Sequence, residues 1–385
     1  MAYPPPPPSQ HTGVNVGMSG LSASGPSGVS SAMTAADGRT RFSNDELAIV
    51  LSYFDIGIIE AIQEFPRGSR KAPKLLIRAE KGLFLLKRRA RGKDDPFKVA
   101  FCHQLQLYLA SKQFPLPHLI GTRNDNNSML QWRHNIYELF EYIKGISYDN
   151  SLEATGDSGK TLALFHKLLA DFQPEYEPAM GSYHASRSVA VSFERIPQAL
   201  HKNDPEGERA SKQQIIDLAN FIKTSYNEAA MKVNEMGLPD WPMQIVHSDW
   251  HPGNMLFRGP KVVAVIDYDA ARIQQRITDI ANGSLQFSII GGGDDPAQWP
   301  DHLDEARYKR FLRTYDSVPN CVLSRAELRT IPWLMIEALI AESVIPIAQT
   351  GQFARMEGLS FLLMVERKVR WLQEHAQRLS EILDS

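Results

Sequence analysis

Two hydrophobic periodicities divide this chain near Gly145, and the division limits the folds open to it. Before that point apolar residues mark short β-type runs around one helix; after it they recur mostly at helical spacing. Asn44-Asp45 reads as a cap ahead of the apolar positions Leu47, Ile49, Val50, Leu51 and Phe54. Residues 74–79 and 83–88 bracket Glu80-Lys81-Gly82, a short polar turn containing glycine, which predicts a hairpin. Asp94-Asp95-Pro96 then opens a helix, with acids at its positive end and proline in its first turn. Phe97, Phe101, Leu105, Tyr108 and Leu109 follow at helical spacing, and the helix should stop before Pro115. A second hairpin, 129–132 with 136–143, brackets Arg133-His134-Asn135. Helices are predicted beyond it over 159–172, 212–236, 304–315, 325–345 and 358–383. Pro332 should delay or kink the fourth, and Pro346 should end it. Strands first and helices afterwards argue for an α+β protein with a small antiparallel β lobe and a mostly helical one.

At 385 residues the chain is long enough for both lobes. Its start is a different material, rich in Pro, Gly, Ser and Ala, which cannot bury enough surface to offset its ordering entropy. The reading is a disordered tail over 1–42, a first lobe over 43–143 and a second over 144–385. Pro4 to Pro8 could dock on a proline-reading domain, but a plain tail is the simpler expectation. A net charge of −2 gives no bulk attraction to nucleic acid or anionic lipid, so neither partner is expected. The basic run from Lys87 to Lys93 lacks the interleaved aromatics of a nucleic-acid face. Two cysteines, Cys102 and Cys321, supply neither a disulfide framework nor a metal cluster. No apolar run reads as bilayer-spanning, and MAYPPPPPSQ lacks the features of a secretory signal, so the cytoplasm is the expected location.

The chemistry concentrates in a β-rich island within the helical half. Ile245-Val246-His247-Ser248-Asp249-Trp250-His251-Pro252-Gly253-Asn254 contains His-x-Asp-x-x-x-x-Asn between apolar β-formers. Val262 to Asp269 follows, a buried-type strand ending in carboxylates. Phosphoryl transfer to an alcohol accounts for each part. An attacking hydroxyl must be oriented and its proton accepted, which suits Asp249 on a rigid loop. A triphosphate brings Mg²⁺, which wants hard oxygen ligands; Asn254 offers an amide oxygen and Asp267 a carboxylate. Pro252-Gly253 lets the chain reverse so that Asp249 and Asn254 face one cleft. His247 reads as an organiser of the catalytic loop, since Asp249 already fills the role of base.

These segments resemble the aminoglycoside phosphotransferase and homoserine/choline kinase-like superfamily, distant relatives of protein kinases. Its pattern is His-Gly-Asp-x-x-x-x-Asn, then Ile-Asp-aromatic-Asp/Glu, matched here by His247, Asp249, Asn254, Asp267, Tyr268 and Asp269, with Ser248 in the place of glycine. The texture is closest to the spore-coat-kinase-like branch. The resemblance implies a two-lobed protein kinase-like fold, ATP and Mg²⁺ as cofactors, and a small-molecule hydroxyl as acceptor: amino acid, sugar, amino-alcohol or aminoglycoside. It makes Asp249 the catalytic base, gives the metal to Asn254 and Asp267, and leaves Asp269 as a second metal ligand or a structural acid. Lys87 sits where the family's third-strand lysine meets the α/β-phosphates. The segment Glu141, Tyr142, Ile143 looks like the hinge whose backbone binds the adenine edge, and Leu162 to His166 resembles a helix of the family's large lobe. Two features depart from the pattern. The first helix offers His103, Gln104 and Gln106 where a glutamate should pair with Lys87, and Phe65 to Arg70 holds one glycine instead of a glycine-rich string. A kinase-shaped nucleotide-binding scaffold without turnover is therefore the alternative.

Other chemistries fit less well. Pro252-Gly253 rules out the helix that a His-Glu-x-x-His zinc protease needs. Asp267-Tyr268-Asp269 also resembles a haloacid-dehalogenase-type nucleophile, but no parallel α/β sheet follows it. Gly291-Gly292-Gly293-Asp294-Asp295 lacks the Lys-Ser/Thr of a phosphate loop and reads as a mobile connection. Trp241 and Trp250 are ambiguous; Trp250, inside the catalytic loop, could border the acceptor.

Overall fold

Order in the first lobe starts at a cap. Ser43 accepts from the Glu46 N–H while Glu46 returns the bond, and helix α1 (Asn44–Ser52) follows. The computed structural model describes residues 39–66, 68–203, 210–291 and 295–384. The polyproline run, the rest of the tail to residue 38, Arg67 of the turn and residues 292–294 of the glycine run lie outside the described residues. Strands β1 (Ile59–Glu64), β2 (Lys74–Ala79), β3 (Gly82–Arg88), β4 (Leu130–Trp132) and β5 (Asn135–Glu141) form one antiparallel sheet in the order β1-β2-β3-β5-β4. Both predicted hairpins are present. Strand β1 was not foreseen, because all six of its residues are exposed and burial never alternates along it.

The sheet has two unlike faces. Leu75, Ile77, Phe84, Leu86, Tyr137 and Leu139 pack with Val50 and Leu51 of α1 in a small core. The opposite face carries Lys74, Lys87 and Glu138 in one cross-strand row and Leu76, Leu85 and Phe140 in the next. Helix α2 (Pro96–Ser111) starts at the Asp95 cap, as the acidic run before Pro96 predicts. It gives Phe101, Leu105 and Leu109 to the larger core of the other lobe.

That larger lobe holds α3 (Leu152–Leu169), α4 (Arg187–Asn203), α5 (Lys212–Glu235), α6 (Arg276–Ser288), α7 (Glu305–Asp316), α8 (Arg325–Thr350) and α9 (Gly358–Ser380). Helix α3 starts ahead of the predicted residue 159. Its early glycines weaken the helical signal but are where α7 packs: a Cβ on Gly159 would lie 2.3 Å from the Phe311 carbonyl oxygen. Helix α8 corrects two expectations. It passes through Pro332 and Pro346 and stops only at Gly351, whose φ of 73° ends it. Packing on α4, α5, α6 and α9 outweighs the hydrogen bonds the prolines remove. It is also long and apolar enough to cross a membrane, though 78% of that apolar stretch is buried inside the lobe. Its composition is that of a central core helix.

Four short strands interrupt the helices. Strand β6 (Met243–Val246) pairs with β9 (Arg272–Gln275), and β7 (Met255–Arg258) pairs with β8 (Lys261–Val265). A last small hairpin, β10 (Gln352–Phe353) with β11 (Met356–Glu357), joins α8 to α9. The two lobes meet over the β6–β9 island, where Cys102 of α2 reaches the Tyr268 carbonyl at 3.4 Å.

Candidate active site

The loop between β6 and β7 is held from below by one carboxylate. Asp279, 1% exposed in the first turn of α6, accepts the His247 N–H at 2.6 Å and the Ser248 N–H at 2.7 Å. His166 of α3 donates to the same carboxylate through Nε2 at 3.3 Å and accepts the Tyr315 hydroxyl at 2.8 Å. Ser248 has a φ of 61°, so it adopts the conformation glycine takes freely. His247 lies fully buried among Phe165, Trp250 and Tyr268, and neither ring nitrogen has a hydrogen-bond partner among the described residues. Burial holds its pKa below the usual value, so the ring is neutral packing beneath the loop. Trp250 does not border an open pocket: it is fully buried against His247 and Gly283, which corrects the expectation from its place in the loop.

Asp249 is the side chain that the loop presents. Its carboxylate accepts from Asn254 Nδ2 at 2.7 Å, and its backbone carbonyl accepts from the same nitrogen at 3.0 Å. His251 Nε2 stands 3.5 Å from its other oxygen, while His251 Nδ1 accepts the Gly253 N–H at 3.0 Å. Burial opposes ionisation, but His251, His247 and Asn254 together hold the Asp249 carboxyl below its ordinary pKa. It is a carboxylate at neutral pH, able to take a proton.

The second carboxylate segment leaves β8 in step with this loop. The Ile266 N–H donates to the Asn254 carbonyl at 2.9 Å, and Asp267 follows with φ 65°, another left-handed residue. Asp267 is exposed and has no hydrogen-bond or ion-pair partner among the described residues. Asn254 spends its amide nitrogen on Asp249, which leaves its amide oxygen unclaimed among the described residues. An uncommitted carboxylate and an uncommitted amide oxygen form an all-oxygen donor pair, and this suits Mg²⁺. Asp269 is committed elsewhere: Arg89 reaches one oxygen at 2.9 Å and Lys87 approaches the other at 3.8 Å. It ties the lobes together. Among the described residues no group of three or more His, Cys, Asp or Glu side chains is placed to hold a metal ion.

On the small-lobe side, the glutamate missing from α2 is supplied by β5. Glu138 is fully buried, 3.5 Å from Lys87 Nζ, 2.7 Å from Arg89 and 2.7 Å from His103. Burial alone would raise its pKa; Lys87, the His103 hydrogen bond and Arg89 overcome that and hold it well below the usual range. Strand position was the available signal, since Tyr137-Glu138-Leu139 puts a charge between two apolar residues. At the hinge, the Glu141 N–H is spent on the His118 carbonyl and the Tyr142 N–H on the Leu83 carbonyl, each at 2.9 Å. The Ile143 N–H has no partner among the described residues. Beside it the half-buried row Leu76, Leu85 and Phe140 forms an apolar floor.

Beyond Asp249, α6 and α8 bring polar groups that sequence reasoning missed. Glu342 of α8 accepts from Gln286 of α6. Crowding by the protein, then the negative charge of Asp249, push its carboxyl up to about 7, against the pull of His251 and hydrogen bonds from Asn282 and Gln286. A carboxylate from a helix predicted only as apolar core therefore stands within electrostatic reach of the Asp249–His251 pair.

Comparison with known proteins bears on the fold and the family. Homoserine kinase of Methylocella silvestris is 24% identical over 247 residues, covering 63% of this chain and 69% of that one. The solved aminoglycoside phosphotransferase of Alicyclobacillus acidocaldarius superposes with a TM-score of 0.61 at 14% identity, covering 91% of this chain and 98% of that one. A microcompartment-associated aminopropanol kinase superposes with a TM-score of 0.62 at 12% identity, covering 87% and 98%. These structures share the two-lobed fold. Residues 62–321, more than half of the chain, match the model of the phosphotransferase enzyme family, APH, and the chain belongs to that family.

Proposed function

We propose that this protein transfers the γ-phosphoryl group of ATP to the hydroxyl of a small molecule, with Asp249 as catalytic base. The observation that carries the reading is the Asp249–Asn254 pair beside an uncommitted Asp267, across the cleft from Lys87. Asp249 orients the acceptor hydroxyl and takes its proton as the oxygen attacks the γ-phosphorus. The bond from that phosphorus to the β-bridging oxygen breaks, and ADP leaves with the electron pair. Magnesium, held by the Asn254 oxygen and Asp267, would neutralise charge on the triphosphate. Lys87 contributes fixed positive charge, and the Ile143 N–H together with the Leu76, Leu85 and Phe140 floor receives the adenine at the Glu141 to Ile143 hinge. No covalent enzyme intermediate is needed, because positioning and electrostatics suffice.

The acceptor is an alcohol bearing an ammonium group. Glu342, exposed on α8 and within electrostatic reach of Asp249, supports this, since a carboxylate there suits a cationic substituent and not a neutral sugar. The relatedness to homoserine kinases points the same way. The likeness of the sequence to the spore-coat-kinase-like branch is a narrower placement that the acceptor will test. A scaffold without turnover loses its main support, because Glu138 pairs with Lys87 from the sheet.

The test is magnesium-dependent ADP release across amino-alcohols, hydroxy amino acids, aminoglycosides and neutral sugars. We expect transfer to an amine-bearing alcohol and a loss of about 10²- to 10⁴-fold in kcat in Asp249→Ala. ATP binding with no transfer to any acceptor would favour the scaffold. Transfer undiminished in Asp249→Ala would remove the proposed base.

A further inference from the structure

The turn expected to cover the phosphates holds one glycine among its described residues, Gly68, with φ 88°. A glycine-rich loop can fold its backbone N–H groups closely around a triphosphate, and this turn, with one glycine, has less of that freedom. The sheet beneath supplies something else. Lys74 of β2 stands directly opposite Lys87 of β3, which stands opposite Glu138 of β5, so two lysines and one glutamate form a single row on the cleft face. Like charges directly opposite one another in a sheet are destabilising. Glu138 is already shared by Lys87, Arg89 and His103, and no carboxylate lies within ion-pair distance of Lys74 among the described residues. A Cβ built on Gly68 would lie 2.7 Å from Lys74 Nζ, so the turn closes directly over this ammonium. The other charges acting on Lys74 are those of the site itself. Burial and then Lys87 pull its pKa down, while Asp267, Asp269 and Glu138 pull it back.

We propose that Lys74 is a second phosphate-binding cation of the nucleotide site, taking over from the sheet the anion-holding work that the glycine-poor turn cannot do. The inference rests on the reading of this cleft as the ATP site. An anion shared between Lys74 and Lys87 relieves their mutual repulsion, so the row is incomplete without one. Lys74 acts on the phosphates and not on the adenine, and that separates it from a residue that merely shapes the cleft.

Calorimetric titration of the full chain with magnesium-ATP and with adenosine tests this. In Lys74→Met the Kd for ATP should rise roughly tenfold, the cost of one charge-assisted contact. Adenosine affinity should stay at the wild-type value, and Lys74→Arg should recover most of the ATP affinity. Without nucleotide, Lys74→Met should melt above the wild type, because the like-charge pair is gone, yet gain less from added ATP. Unchanged ATP affinity in Lys74→Met, with Lys87→Met weakened, overturns the assignment of Lys74 alone. Equal weakening toward ATP and adenosine also overturns it, since that is the signature of a structural role. Absence of ATP binding in the wild type overturns the nucleotide-site reading and this inference with it, before any variant is compared.

Discussion

The two walls of the cleft are built on different principles. The catalytic wall is fixed by hydrogen bonds to the backbone: one buried carboxylate, Asp279, grips two successive N–H groups, and Asn254 locks Asp249. The nucleotide wall is fixed by charge: Glu138 balances Lys87, Arg89 and His103, with Lys74 left over. Directional bonds hold a reacting group in one place, as proton transfer requires. Lys87 and Arg89, shared between Glu138 and Asp269, are held less directionally, and Lys74 beside them is left for a polyanion. The difference teaches that the loop carrying Asp249 is positioned by bonds already made, while the sheet facing it keeps Lys74 without a carboxylate partner among the described residues.

Removing the pivot of each wall measures that contrast. Glu138→Gln should have the largest effect, about 3–5 kcal/mol of stability, because it leaves the buried Arg89 and the half-buried Lys87 with Asp269 as their one remaining carboxylate among the described residues. Urea unfolding reads this directly. Asp279→Asn keeps the shape but turns one acceptor into a donor facing an N–H. We expect a loss of about 2 kcal/mol and a fall in kcat with the ATP Kd unchanged. If Asp279→Asn proved costlier than Glu138→Gln, or weakened ATP binding alone, the contrast between the walls would be wrong.

Acid sharpens it further. The Glu138 pKa is depressed on folding, so its contribution is fully present above the unfolded value of 4.5 and is lost as pH falls through the lower folded value. Denaturation midpoints should drop below pH 4.5 in the wild type and drop less in Glu138→Gln. On the acceptor side, Glu342 should ionise as pH rises through about 7. The KM for an amine-bearing alcohol should fall by a few-fold across that range, and Glu342→Gln should abolish this dependence without changing the ATP Kd. The smallest effect belongs to Ser248→Gly, which relieves a left-handed residue at a net gain of about 1 kcal/mol or less, read as a raised Tm.

Sequence revealed what carries a local signature. The β2–β3 hairpin, the Asp95 cap and the loop from His247 to Asn254 are each specified by neighbours within a few positions. Strand β1 was invisible because its exposed residues have no alternation, and α6 because it follows a strand without a break. Glycines at the α3–α7 contact disguised the start of α3. Within the site, Asn254 bonds Asp249, and Lys87 comes within 3.8 Å of Asp269, two residues beyond Asp267. Glu138, Asp279 and Glu342 were missed for a common reason. Each meets its partner across a long stretch of chain, and a lone acid in an apolar segment does not name the cation or amide it will face.

One consequence follows from where Glu138 lies. In protein kinases the lysine–glutamate pair joins a strand to a mobile helix, and moving that helix switches the enzyme off. Here lysine and glutamate are cross-strand neighbours, Lys87 opposite Glu138 in adjacent hydrogen-bonded strands. Their backbones can part only if the ladder between β3 and β5 opens. A swing of α2 therefore leaves this pairing of strands in place, and a switch acting on it would have to work through the sheet.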